Sequence, residues 1–508
     1  MPIQPDIILQ YSRDGTETKD FRVSKEDILI GRASECDIPL DDKQVSRFHA
    51  SLRIAPDGFW LLDMDSKNGT LIDEKPIPPN QRIPIQPEQN FSIGTYTFKA
   101  FLPRAPSSMD QTILQPGVAR GYMYDLDALR STEFPQMLQK TNLDNAASAP
   151  SPLRTVNKMK WMMDEKIATA QWHMGNYPIE LVGAFMDSAA KLLNAESPQE
   201  IVYVDGCSSG LNLIAQSLEI KPGDNIVFCD LEHPANVYCW MSLQRDGAVI
   251  KQVSSVHGGL TLQSVRDAVD ERTRVVAASA VQFFSGHRTD LAAIGKFCRE
   301  RGILFAVDAI QAVGHFPIDV QKMNIDVLVT GGHKSIMTGP SMGFMYVREA
   351  ICATLRPRVV GAVSTVDWPY YLNYDMTPHP GAWRFMIGTP NFVGMAGMIE
   401  SINLINELTR EAIDRHTTNL AAHTLEQAQA RGYELTTTLG EHGSIATFKS
   451  KFAKDETTAY LNTIDEEQGI TIAKQLDRQG HPHLRISFHC YNTEEDISRA
   501  FDALDKMK

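Results

Sequence analysis

Leu304–Ser335 reads LFAVDAIQAVGHFPIDVQKMNIDVLVTGGHKS. Two short apolar runs stand at its ends, one closing on Asp308 and one on Thr330 and Gly331. Runs of this length separated by a crossover predict neighbouring parallel strands. Outward from this stretch the alternation repeats. EIVYVDG, NIVFCD and TRVVAASAV read as further strands, and SSGLNLIAQSLE and LAAIGKFCRERG as helices between them. The pattern predicts an open α/β sheet beginning near residue 138. From about residue 396 long helical stretches, MAGMIESINLINELT and ISRAFDALDKM, point to a smaller α+β unit.

The chemistry of the stretch rests on Asp308 and Lys334. A P-loop needs glycine before its lysine, and His333 stands there instead. A carboxylate at the end of a buried strand needs a cationic partner, and a protonated pyridine nitrogen is one. A Schiff-base lysine with a carboxylate on the ring nitrogen is the minimum equipment of a pyridoxal 5′-phosphate enzyme. Asp205-Gly206-Cys207-Ser208-Ser209-Gly210 joins a strand to a helix, whose first N–H groups suit a phosphate. Glu232-His233-Pro234-Ala235-Asn236 follows the next strand, and Gly388-Thr389-Pro390-Asn391 places a hydroxyl in a tight turn.

With LDNAASAP, VQFFSGHRTDL, FMIGTPN and LRISFHCYNTEEDI in the same order, residues 138–508 resemble the class V aminotransferase family, which includes cysteine desulfurases and isopenicillin N epimerase. The resemblance implies fold type I of the pyridoxal phosphate enzymes, with a large domain at about 175–395. A small domain from about 396–508 would also hold the 138–174 segment. It implies Lys334 as the Schiff-base lysine, Asp308 on the pyridine nitrogen, Gln311 at the ring oxygen and His233 stacked on the ring. Ser208, the backbone at Cys207, and His333 would hold the phosphate. Thr389 would reach the phosphate of a partner subunit, which makes a homodimer. Arg485 would clamp the carboxylate of a small amino-acid substrate, with His173 as a further pocket residue.

Two departures stand out. Some relatives carry serine three residues before the lysine, where this chain has Gly331. Cysteine desulfurases carry a persulfide-forming cysteine on the loop before the arginine, and EQGITIAKQLDRQGHPH has none. The expected reaction is therefore a C–S lyase, with epimerase and aminotransferase as alternatives, and a scaffold with an inactive fold as a reading of another class. His481, His483, His489 and Cys490 have the spacing of a strand rather than a zinc site, so no metal is expected. Cys207 reads as a small buried thiol and His315 as structural.

Residues 1–103 are different. DILIGR, ASLRIA, GFWLLDMD and NFSIGTYTFKAFL are short strands separated by turn clusters, with no helical stretch between, which predicts an all-β sandwich. Gly31-Arg32, Ser46-Arg47-Phe48-His49-Ala50 and Asn68-Gly69-Thr70 fall at strand ends or loops. Together they resemble the forkhead-associated (FHA) domain. The resemblance implies a phosphothreonine-binding module, with Arg32 and Ser46 on the phosphate, Arg47 and Thr70 flanking, Asn68 on the peptide backbone and His49 bracing the loops. Residues 104–137, rich in Pro, Ser and Gly, read as a linker. Thr112 lies in it beside an acidic residue, Asp110, so the phosphopeptide could come from another protein or from this segment.

The whole chain has 508 residues and 43 % hydrophobic content, ample for about three domains without disulfides. Its net charge of −13 argues against a nucleic-acid binder. The N-terminal stretch shows no signal-peptide pattern, and no apolar run is long enough to span a membrane. Seven scattered cysteines without a CxxC pair point to reduced thiols and a cytoplasmic location.

Overall fold

The computed structural model describes residues 8–13, 19–22, 27–55, 58–73, 75–85, 89–101, 124–172, 177–368, 370 and 372–506. Thr112 and His173 lie outside the described residues. The chain divides into two compact units, 1–112 and 113–508.

The first unit holds a six-stranded and a five-stranded sheet, antiparallel but for one short edge pair. The strands alternate, so Ile28 and Ile30 on one, Leu52 on the next, and Phe91 and Ile93 on another share a single apolar core.

In the second unit seven strands form the main sheet: β1 (Ile201–Val204), β2 (Asn225–Cys229), β3 (Val249–Val253), β4 (Thr273–Ser279), β5 (Leu304–Asp308), β6 (Val327–Gly331) and β7 (Gly343–Val347). Their order is β1-β7-β6-β5-β4-β2-β3, with β7 antiparallel to both neighbours and the other pairings parallel. β2, β6 and β7 are buried at every position, which explains their unbroken apolar runs. A smaller sheet holds β8 (Ile445–Lys449), β9 (Ala473–Leu476) and β10 (Pro482–Ser487) in the order β8-β10-β9. Among the described residues no helix is long and apolar enough to cross a membrane.

The element boundaries differ from the sequence reading in two places. The second half of the expected linker is folded: α1 (Leu126–Glu133) is capped by Asp125, whose carboxylate accepts from the Ala128 N–H. Just before it Tyr124 is buried and donates to the Cys490 carbonyl, and Arg130 donates to that of Tyr491. These anchors are invisible in composition because their partners lie more than 350 residues away.

The small lobe also begins later. α2 (Leu153–Thr169) and α4 (Phe392–Leu408), which flank α3 (Cys207–Ala215) in the chain, pack on each other and join the large core. Gly397 permits the approach, since a Cβ there would lie 2.6 Å from Met159 Cγ. The separate core of the small lobe draws instead on Leu143, α5 (Arg410–Ala430), the small sheet and α6 (Glu494–Leu504).

Candidate active site and phosphopeptide surface

The ends of four strands converge on one cavity of about 430 Å³. Ser279 closes β4 and Asp308 closes β5, while His233 follows β2 and Lys334 follows β6. A ligand site outside the carboxyl ends of an open sheet is the usual place in this architecture. Cys207, Ser208 and Ser209, at the N-terminus of α3, line the cavity with Gln311 and His333.

Asp308 is buried, and its carboxylate accepts at Oδ1 from the Ile310 N–H and the Cys207 thiol, each at 3.1 Å. Cys207 is thus more than a small filler: it orients the key carboxylate. Burial, and then Asp308, push its thiol well above the ordinary range. Lys334 is held below the ordinary lysine value, first by burial and also by Arg485, against the attraction of Asp308. Burial and the Lys334 charge lower His233 and His333, so both rings are neutral near pH 7. The His233 ring stands edge-on to Phe283, with centroids 5.0 Å apart. Gln311 donates to the Ala146 carbonyl at 2.8 Å. Gly314 brings the segment after Asp308 onto the lysine loop, since a Cβ there would lie 1.6 Å from the Ser335 carbonyl oxygen.

Arg485, on β10, is 3 % exposed. It donates to Asp144 at 2.7 Å and to the Phe283 carbonyl at 3.0 Å, and its Nε has no partner among the described residues. Thr389 does not line the cavity: it is exposed on the turn before α4. His489 bonds the Ser335 carbonyl and lies 4.4 Å from the buried His315 ring. Among the described residues no cluster of His, Cys, Asp or Glu is arranged to hold a metal.

Several residues escaped the sequence reading. Glu232 is buried beneath His233 and accepts from the Ser279 N–H and hydroxyl, Gln282 and Asn236. Burial raises its pKa. It ties the His233 turn to the end of β4. The signal was an acid among apolar strand ends, beside the histidine already singled out. Asp144, within LDNAASAP, carried no mark of its pairing with Arg485, 341 positions on.

In the first unit the three motifs meet. His49 is fully buried, accepts from the Ser46 N–H and bonds the Gly69 carbonyl, bracing two loops. The Ser46 hydroxyl accepts from the Lys67 N–H, and Asn68 donates to the Gln44 carbonyl. Arg32, Arg47, Lys67 and Asn68 are exposed around Ser46. Thr70 corrects the expectation of a flanking contact: it is fully buried, and its hydroxyl is spent on Asp63 at 2.6 Å.

A buried carboxylate beside a lysine, a neutral imidazole and a helix N-terminus in one cavity fit pyridoxal 5′-phosphate, and with the α/β sheet they define a fold type I enzyme of that cofactor. The aminotransferase class-V family model matches residues 141–500 and the FHA domain model residues 28–94. The chain belongs to the class V aminotransferase family, with an FHA domain before it. It is 30 % identical over 400 residues to a cysteine desulfurase of Salmonella newport, covering 74 % of this chain and 96 % of that one. Among solved structures, the apo cysteine desulfurase of Thermococcus onnurineus NA1 superposes with a TM-score of 0.67, 24 % identity and coverage of 75 % and 97 %. The cystine C-S lyase C-DES, in complex with cysteine persulfide, gives 0.66, 20 % identity and coverage of 74 % and 99 %.

Proposed function

We propose that this cysteine desulfurase-like enzyme is a C–S lyase acting on a cysteine derivative. The observation that carries the reading is the β9–β10 hairpin. It contains no cysteine, and its turn is drawn closed around Asp477, which accepts from the Gln479 and His481 N–H groups and contacts the rings of His481 and His483. All seven cysteines of the chain are buried. A thiol that receives sulfur must reach the substrate, and none lies on this hairpin. The likeness to C-DES supports the same reading at the level of the fold alone.

The residues divide the work. Arg485 holds the substrate carboxylate. Asp308 keeps a cationic ring nitrogen charged, and neutral His233 offers a flat face. Ser208, Ser209 and the α3 N–H groups hold the phosphate. When bound, the cofactor withdraws electrons from the substrate Cα. Lys334, released as an amine, takes the α-proton. The Cβ–S bond breaks and its electron pair leaves with sulfur as a thiolate, which is then protonated. Water converts the three-carbon remainder to pyruvate and ammonia. The test is product analysis on the holoenzyme with β-chloro-L-alanine and S-phenyl-L-cysteine. Pyruvate and ammonia in equal amounts support the lyase; alanine, an inverted α-carbon or amino transfer to an oxo acid each overturn it. A colourless protein after cofactor addition would favour the scaffold.

We further propose that the FHA unit recruits a phosphothreonine protein through Arg32, Ser46, Arg47 and Asn68, with phosphorylated Thr112 as a ligand from the same chain. A homodimer is supported by the apolar side chains left exposed at Val360, Val366, Tyr370, Leu372, Tyr374, Met376 and Ile387, in the segment leading to Thr389. Buried, unpaired thiols support a reducing, cytoplasmic location.

A further inference from the structure

A second cavity of about 330 Å³ adjoins the cofactor cavity, and Phe283 lines both. On one side its wall is the 230–234 turn; on the other it is the hairpin residues Leu476–Gln479. Leu231, Pro234, Phe283, Phe284 and Leu476 make its lining largely apolar. Leu476 is 39 % exposed, an apolar side chain left open on the rim. The hairpin is fastened across the mouth, since Arg478 donates to the Asp230 carbonyl and its Nη1 lies 3.4 Å from the Asp230 carboxylate.

The position relative to the substrate follows from Arg485. Arg485 bonds the main-chain carbonyl of Phe283, so the proposed carboxylate clamp stands next to the residue that lines both cavities. The substrate amine is fixed at the Lys334 end of the cavity. The remaining large substituent, the one carried on sulfur, then has the Phe283 wall and the space beyond it.

We infer that this second cavity is the subsite for the sulfur substituent and that the substrate class is cysteine thioethers bearing an apolar group of about ring size. The inference rests on the lyase reading. The hairpin, which carries no cysteine, builds one wall of the subsite, and free cysteine leaves the cavity empty. Burying an aromatic group there contributes through its apolar area.

The test compares S-phenyl-L-cysteine with β-chloro-L-alanine, which has no group to fill the subsite, on the cofactor-loaded full chain. Leu476→Trp fills the mouth from an exposed position, and Leu476→Ala leaves it open. Leu476→Trp is expected to lower kcat/KM for S-phenyl-L-cysteine at least tenfold, mainly through KM, and to change that for β-chloro-L-alanine less than twofold. Leu476→Ala opens the mouth but removes one apolar wall, so it is expected to lose some activity on S-phenyl-L-cysteine, far less than Leu476→Trp does. Equal losses on both substrates, no loss on either, or a wild-type preference for free cysteine over the thioether overturns the subsite while leaving the lyase reading intact. Pyruvate from neither substrate in the wild type overturns the lyase reading, and the subsite with it.

Discussion

On the proposed reading two demands meet at Lys334: the amine must bond the cofactor and must also be uncharged enough to take a proton. Burial and Arg485 lower its pKa, and a base works only when deprotonated, so turnover should rise with pH through a value below the ordinary lysine 10.5. A pH–rate profile checks the sign. Lys334→Ala should cost about 10²- to 10⁴-fold in turnover, read as pyruvate release. On the proposed phosphothreonine reading of the FHA unit, Arg32→Ala removes a charge-assisted bond worth about 1.5–3 kcal/mol, or roughly 10- to 100-fold in phosphothreonine-peptide affinity by calorimetry. Thr70→Ser, with its hydroxyl still on Asp63, should bind as the wild type does. Lys334, Asp308, His233 and Arg32 were legible because each is a polar group where a strand ends. Glu232 and Asp144 were not, since their roles consist of partners supplied by other elements.

The β9–β10 hairpin shows how local chemistry shapes an element. Burial opposes ionisation of Asp477, but the His481 and Gln479 N–H donors and the two imidazoles outweigh it and hold the carboxyl down at about 2. The sign follows from a lowered acid: its stabilisation is complete above the ordinary carboxylate pKa near 4 and is lost as pH falls toward 2. Asp477→Ala should therefore destabilise the protein by about 1 kcal/mol at pH 7 and by little at pH 2, measured by urea titration. The strands of the main sheet could be read from their apolar runs. α4 could not be assigned to a lobe that way, because a helix with apolar residues on most of its faces names no partner. Only Gly397 against Met159 settles which helix it meets.

At the scale of the molecule, the composition suggested about three domains, and the units count differently. One is a β-sandwich; the other is a single enzyme subunit with two cores, anchored by a helix that had read as linker. Leu372 is 83 % exposed, so Leu372→Asp costs a lone subunit little. In the proposed dimer it buries a charge, and sedimentation should show the variant as a monomer, with weakened cofactor retention if Thr389 makes the contact proposed for it. The seven buried thiols have a practical consequence. Burial pushes Cys229, Cys239, Cys298 and Cys352 up to about 12, so the folded chain should ignore alkylating reagents. Each cysteine then acts as a timestamp: the mass added under brief alkylation during heating dates the opening of its surroundings. Cys36 keeps time for the sandwich and the other six for the enzyme, so one peptide map records which unit opens first.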